Sequence, residues 1–224
     1  MLENIISLIA PHHCVCCSEQ GSLFCEPCRQ DLLESRLPAC AMCDSPTRLS
    51  LLCTTCHIKS PLDDIWSVGL YKDELESLIK KYKFERARAA DEIFSGLLDE
   101  VVPVLPPDTL VTYIPTAPSR IRQRGYDHMQ RVASRFAGLR QLEMIQPIKR
   151  LHNKRQVGAS RTERIEQAKK AFGLNKTLNT QNILLIDDVM TTGATLNAAA
   201  RLLKSAGTKN VYGAVVAFEP MKNN

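Results

Sequence analysis

The sequence predicts an α/β protein: a mostly parallel sheet flanked by helices, with a small cysteine-rich appendage at its N-terminal end. Three observations carry that expectation. The run Ile183-Leu184-Leu185-Ile186 is apolar without alternation, the pattern of a strand buried on both faces of a parallel sheet. From Trp66 onward strand-like and helix-like segments alternate, the order of a parallel sheet covered on both sides. All nine cysteines lie at or before residue 56, eight of them in four C-x-x-C pairs.

The 224 residues divide at the linker Ser60-Pro61-Leu62-Asp63-Asp64 into a head, residues 1–60, and a body, residues 61–224. Met1 to Ala10 reads as one short amphipathic helix leading into the first cysteines. It carries Glu3 and lacks a basic flank, so it does not read as a secretory signal. No apolar run reaches the roughly 20 residues a membrane helix needs. A cytoplasmic chain is therefore expected, and its cysteines are better explained as reduced metal ligands than as disulfides.

The pairs are Cys14/Cys17, Cys25/Cys28, Cys40/Cys43 and Cys53/Cys56, with seven residues between the first two pairs and nine between the last two. Each half can fold back so that two C-x-x-C turns present four thiolates to a tetrahedral Zn²⁺, leaving no position for a substrate water. Two structural zinc sites are expected, with sequential and interleaved pairing both open. So short a head has little apolar sequence of its own, and metal binding supplies much of its folding free energy, on the order of 10 kcal/mol per site in zinc-finger peptides. Cys16, His12, His13 and His57 read as bystanders. An iron–sulfur cluster or a redox pair fits less well, since neither calls for two successive sets of four. Arg29 to Arg36 reads as a short helix.

In the body, Trp66 to Tyr71 reads as a strand. Helices follow through Leu75, Leu78, Ile79 and Tyr82, and through Ile93, Leu97, Leu98 and Val101, the second ended by Pro103, Pro106 and Pro107. A strand from Thr109 to Ile114 leads into a loop from Pro115 to Tyr126. Helices from about Tyr126 to Leu139 and Thr162 to Ala171 precede the central strand, which ends on Asp187 and Asp188. A helix from Ala194 to Ser205, a stop at Gly207 and a strand from Val211 to Ala217 complete the pattern.

Between the acidic pair and the last helix lies Thr191-Thr192-Gly193-Ala194-Thr195. Backbone N–H groups at a helix start, a glycine that permits close approach and three hydroxyls suit a phosphate, while the two carboxylates suit ribose hydroxyls or a Mg²⁺ shell. Ordinary capping needs only a single Thr or Asp. In such sheets ligands bind beyond the carboxyl ends of the strands. Two basic segments fall there: the Pro115–Tyr126 loop with Arg120, Arg122 and Arg124, and a lid-like Leu151–Arg164 segment with Lys154, Arg155, Arg161 and Arg164 around Gly158. Residues 119–170 hold fourteen Lys/Arg against four Asp/Glu, whereas residues 1–60 hold four against six. Arg120, Arg122, Arg124, Lys154 and Arg155 are candidates for contact with pyrophosphate or a nucleic-acid backbone. Arg131, Arg135 and Arg140 read as a solvated helix face, and His128 and His152 as surface histidines. Tyr113 and Tyr126 are the candidate stacking platforms for bases.

The apolar strand, acidic pair and T-T-G-A-T loop resemble the signature of type I phosphoribosyltransferases, which binds 5-phosphoribosyl-1-pyrophosphate (PRPP). Add the cysteine pairs, the P-x-x-P loop running into R-x-R-G-Y and the basic segment, and nearly the whole chain resembles the ComF family of bacterial competence-associated proteins. Where that family commonly has F-N-Q after R-G, this chain has Tyr126-Asp127-His128. Gln156 to Arg164 is similar to its Q-x-x-L-S-x-x-E-R segment, with Ala159 in place of Leu. The resemblance implies a zinc-binding head on a type I phosphoribosyltransferase-like domain, in a cytoplasmic protein that assists uptake or handling of single-stranded DNA in natural transformation. It implies a PRPP-type ligand with Mg²⁺ at Asp187, Asp188 and Thr191 to Thr195, and DNA-uptake or recombination proteins as partners. Two other readings stand beside it: an active transferase whose Asp187 and Asp188 stabilise positive charge at the ribose, and an adaptor with a vestigial ligand site.

Overall fold

The computed structural model describes residues 13–35, 39–43, 45–47, 50–84, 90–151, 171–175, 178 and 180–219. In the head these form α1 (Glu26–Glu34) and α2 (Thr54–His57). The body runs β1 (Asp64–Leu70), α3 (Asp73–Phe84), α4 (Ala90–Val101), β2 (Thr109–Tyr113), α5 (Pro118–Arg124), α6 (His128–Arg140), β3 (Ile148–Arg150), β4 (Phe172–Leu174), β5 (Asn182–Met190), α7 (Ala194–Ser205) and β6 (Asn210–Phe218). Four strands form one sheet in the order β1-β6-β5-β2, and every pair in it is parallel. β3 and β4 form a separate antiparallel pair.

The period of a strand sends neighbouring side chains to opposite faces, and β5 divides its apolar run accordingly. Leu184 and Ile186 join a cluster with Leu75, Phe94, Leu97 and Phe136 of α3, α4 and α6. Ile183 and Leu185 join the opposite cluster, with Leu196, Ala199, Ala200 and Leu203 of α7 and with Ile148 and Phe172. The α7 spacing i, i+3, i+4, i+7 is one helical stripe. Each fully buried Leu, Ile or Phe contributes about 1.5–3 kcal/mol, so the β5 run anchors both layers.

Both sheet edges are covered. On β2, Val111 donates its amide to Glu143 O at 2.8 Å and accepts from the Ile145 amide at 2.9 Å. On β1, Ile65 O accepts the Leu51 amide of the head at 2.7 Å. The head grips that edge from both faces. Cys14, Leu23 and Phe24 pack into the cluster of α3, α4 and α6, while Ala41, Leu51 and Leu52 pack into that of α7.

The structure differs from the sequence reading in several places. The segment after β2 is not all loop: Pro118 occupies the first turn of α5, and Gly125 closes it with φ +86°. β5 carries Asp187 and Asp188 within the strand and ends at Met190. α1 begins at Glu26, three residues before the predicted start. Arg131, Arg135 and Arg140 are ion-paired to α4 rather than solvated. Arg131 Nε donates to the buried Asp91 at 2.5 Å, Arg135 Nε lies 3.5 Å from the same carboxylate, and Arg140 binds Asp99 and the Pro103 and Val102 carbonyls. The predicted helices at Met1–Ala10 and Thr162–Ala171 lie outside the described residues, apart from Ala171 in a turn. Among the described residues no helix is long and apolar enough to cross a membrane.

Candidate functional site

β2 and β5 are neighbours, so their carboxyl ends bring Thr116 and the acidic pair together, and α3, α5 and α6 close around them. Asp188 Oδ2 accepts twice, from Lys83 Nζ at 2.6 Å and His128 Nε2 at 2.8 Å. Behind the imidazole, Arg124 Nη1 lies 3.0 Å from His128 Nδ1. A guanidinium only donates, so Nδ1 is the acceptor and the ring proton sits on Nε2, aimed at Asp188. Thr116 Oγ1 donates to Asp127 Oδ1 at 2.8 Å, and the Thr116 amide donates to Oδ2 at 3.2 Å. Asp127 also caps α6 by accepting the Met129 amide at 3.1 Å. The acid that replaces the family's amide is thus an N-cap.

His128 and Arg124 are buried, at 4% and 6% exposure, and form a polar chain Arg124–His128–Asp188–Lys83. Burial opposes ionisation of Asp188, but Lys83 and then His128 outweigh it and hold the carboxyl well below its usual range. Asp187 is pushed up to about 8, first by burial and then by the Asp188 charge; the Asp188 amide, Lys83 and Arg150 oppose the shift only in part. Arg150 comes from β3, donates to Pro115 O at 3.1 Å and stacks over Phe172.

Thr191 to Thr195 follow β5 directly and are half-buried. Gly193 is the N-cap of α7 at φ +68°, a left-handed conformation that glycine adopts without a Cβ penalty. No side chain caps this helix, in contrast to α6 with Asp127; Thr192 Oγ1 reaches only the Ala194 amide, at 3.4 Å. The first turn of α7 therefore presents amides and positive helix-dipole potential beside the acidic pair.

Of the predicted arginines, Arg120 and Arg122 are exposed on α5, while Arg124 is turned inward to His128. Lys154, Arg155 and His152 lie outside the described residues. His128 is no surface histidine. Tyr113 is buried, and Tyr126 packs 6.2 Å from Tyr82 with Arg131 over its ring, so neither tyrosine stands out as a base platform. Lys83, Thr116 and Arg150 were not anticipated. Lys83 had a signal: it falls four residues after Ile79, on the stripe that buries Leu75, Ile79 and Tyr82, and a lysine on a buried stripe requires a partner.

In the head, the sulfurs of Cys14, Cys17, Cys25 and Cys28 lie within 4.8 Å of one another, as do those of Cys40, Cys43, Cys53 and Cys56. The pairing is sequential. Four thiolates at this separation fit a tetrahedral Zn²⁺ with Zn–S near 2.3 Å. The Cys25 amide approaches Cys14 Sγ at 3.5 Å, the kind of N–H···S contact that orients a ligating sulfur. Cys16 belongs to neither set, and His13 Nδ1 bonds Ser18 O at 3.1 Å.

A parallel sheet with an acidic pair at the end of its inner strand, followed by a glycine loop opening a helix, defines a phosphoribosyltransferase-type domain. Residues 121–223 match the phosphoribosyl transferase domain family. The chain is 29% identical over 198 residues to competence protein ComFC of Bacillus subtilis (strain 168), covering 82% of this chain and 78% of that protein. It is 26% identical over 205 residues to ComFC of Streptococcus pneumoniae, covering 87% and 84%. With competence protein F of Haemophilus influenzae it shares 28% identity over 204 residues, covering 84% and 87%. An orotate phosphoribosyltransferase structure from Aeropyrum pernix overlaps 58% of this chain and 60% of its own, at TM-score 0.38 and 16% identity. The chain is a homologue of the ComF-type competence proteins and carries a phosphoribosyl transferase domain behind its cysteine-rich head.

Proposed function

We propose that this is a ligand-binding competence protein of the cytoplasm. Its body, residues 61–224, holds a PRPP-type ligand, and its basic surface handles single-stranded DNA during natural transformation alongside DNA-uptake or recombination proteins. The head, residues 1–60, carries two structural Zn²⁺. The observation that supports the ligand most directly is the first turn of α7: a left-handed glycine and no capping side chain, directly after an acidic pair. In this reading the α7 amides and the hydroxyls of Thr191, Thr192 and Thr195 take a phosphate, and Asp187 meets the ribose. Mg²⁺ on the ligand would neutralise pyrophosphate charge. Lys83 supplies a cation at the same place, and Arg120 and Arg122 with Lys154 and Arg155 serve pyrophosphate or the DNA backbone.

Binding is favoured over turnover for a specific reason. Asp188 is already paired with Lys83 and His128, so its charge is largely spent before any positive charge develops at a ribose. Calorimetry with PRPP and Mg²⁺ tests the reading: saturable binding, abolished by Asp187→Ala, is expected, and a null titration with wild-type protein overturns it. Pyrophosphate release above the acceptor-free rate with any nucleobase would instead make the chain a transferase. Salt-dependent oligonucleotide binding that weakens in Arg120→Ala/Arg122→Ala checks the DNA part; no binding at low salt removes it.

A further inference from the structure

We propose that the second cysteine knuckle is one wall of the ligand site, so that metal at Cys40, Cys43, Cys53 and Cys56 and ligand at Thr191–Thr195 bind cooperatively. This rests on the phosphate-loop reading above. A cleft runs between Ala41, Met42 and Ser60 of the head and Met190, Thr192 and Gly193 of the loop. Ala41 and Met42 are the two residues inside the Cys40-x-x-Cys43 turn, so the position of that wall is set by the same turn that presents two thiolates to the metal.

The connection continues into the core. The Ala41 amide donates to Leu51 O at 2.8 Å, and the Leu51 amide donates to Ile65 O of β1 at 2.7 Å. Ala41, Leu51 and Leu52 share one apolar cluster with Met190 and Leu196, the residues that bracket the loop. A Cβ built on Gly193 would already touch Met190 Sδ at 3.7 Å, so the loop backbone lies directly on this cluster. The first knuckle offers an internal control. Cys14, Leu23 and Phe24 pack on the other face of the sheet, in the cluster that excludes Met190 and Leu196.

Bound metal fixes the Cys40–Cys43 turn and holds the apolar wall against the loop. That wall keeps bulk water from one side of the α7 amides, where a lower dielectric strengthens their hold on an anion. Without metal the turn loses its four-point constraint and the wall loosens. By linkage, ligand must then stabilise the metal by the same factor.

The test uses the full, zinc-loaded chain and three variants. Cys17→Ser and Cys43→Ser remove corresponding exposed thiolates from the first and second sets. Met42→Trp keeps all eight ligand cysteines and fills the cleft. PRPP·Mg²⁺ affinity is read by calorimetry, zinc content by elemental analysis, and zinc release by a colorimetric chelator with and without PRPP. Cys43→Ser should weaken PRPP binding about tenfold or more, and Cys17→Ser by less than about threefold, within the usual range of coupling energies. Met42→Trp should retain two zinc per chain and bind PRPP as weakly as Cys43→Ser; if the latter does not fold, Met42→Trp decides. PRPP should slow zinc release from wild type. Equal losses in the two cysteine variants, or unchanged affinity in Met42→Trp, overturn the inference while leaving the ligand site standing. Failure of wild-type protein to bind PRPP removes the ligand reading, and the inference with it.

Discussion

Replacing Lys83 with Met keeps the apolar stem of the side chain and deletes its ammonium, leaving the Asp188 carboxylate with His128 as partner. The two side chains of the pair are 16% and 17% exposed and 2.6 Å apart. Removing one partner of a fully buried pair costs about 3–5 kcal/mol; the residual exposure and the option of protonating Asp188 bring the expected loss to about 2–3 kcal/mol at neutral pH. For a chain of this size that is a fall of roughly 5–10 °C in Tm. The sign with pH follows from the depressed Asp188 pKa. A carboxyl held below its unfolded value, about 3.9, contributes stability above that value and loses it as pH falls toward the folded one. The gap between wild type and Lys83→Met should therefore be full at neutral pH and close as pH falls below about 4. Urea unfolding across that window measures it, and Lys83→Met/Asp188→Asn should recover much of the loss because no unpaired charge remains. A single variant within about 0.5 kcal/mol of wild type at neutral pH, or a double variant that loses the plain sum, would refute the reasoning.

Two further outcomes follow from the same site. Gly193→Ala places a Cβ 3.6 Å from Asn197 Nδ2 and 3.7 Å from Met190 Sδ, without a clash, so its cost is the left-handed backbone, about 1–2 kcal/mol in thermal unfolding. A loss above about 4 kcal/mol would point instead to collapse of the loop packing. Asp187, raised to about 8, contributes stability that is full below its unfolded pKa and is lost as pH rises through the folded value. Asp187→Asn has no such proton to lose and keeps an oxygen for the Asp188 amide, so its denaturant midpoint should vary less between about pH 4 and 8; parallel curves for the two proteins would contradict the shift.

The sheet was legible because a strand buried on both faces declares itself without reference to its neighbours. Ile183 to Ile186 did so, and α7 matched its predicted range from Ala194 to Ser205. The acidic pair and the T-T-G-A-T loop were likewise local. What escaped the sequence was set by partners distant along the chain. Lys83 meets Asp188 only because α3 ends over the β5 terminus, and nothing around His128 says that Arg124 and Asp188 will flank its ring. α5 did have a local mark, Pro118 at its start and Gly125 just beyond its end, but three arginines drew the reading toward an exposed loop. Arg131 and Arg140 misled in the same way, since a charged helix face looks solvated until the acids of α4 are placed opposite. β3 and β4 are three residues each, too short for any alternation to register.

The Leu51–Ile65 hydrogen bond gives the head a task that has nothing to do with ligands. A bare edge strand is a template for a second copy, and this contact, with Ala41 and Phe24 on either face, keeps β1 from serving as one. A body expressed without its head would present that edge together with the apolar flanks of Ile65 and Trp66, and would be expected to precipitate rather than persist as a smaller soluble unit. Zinc supply then governs colloidal behaviour: a metal-starved cell would hold this chain in a form inclined to stick to itself.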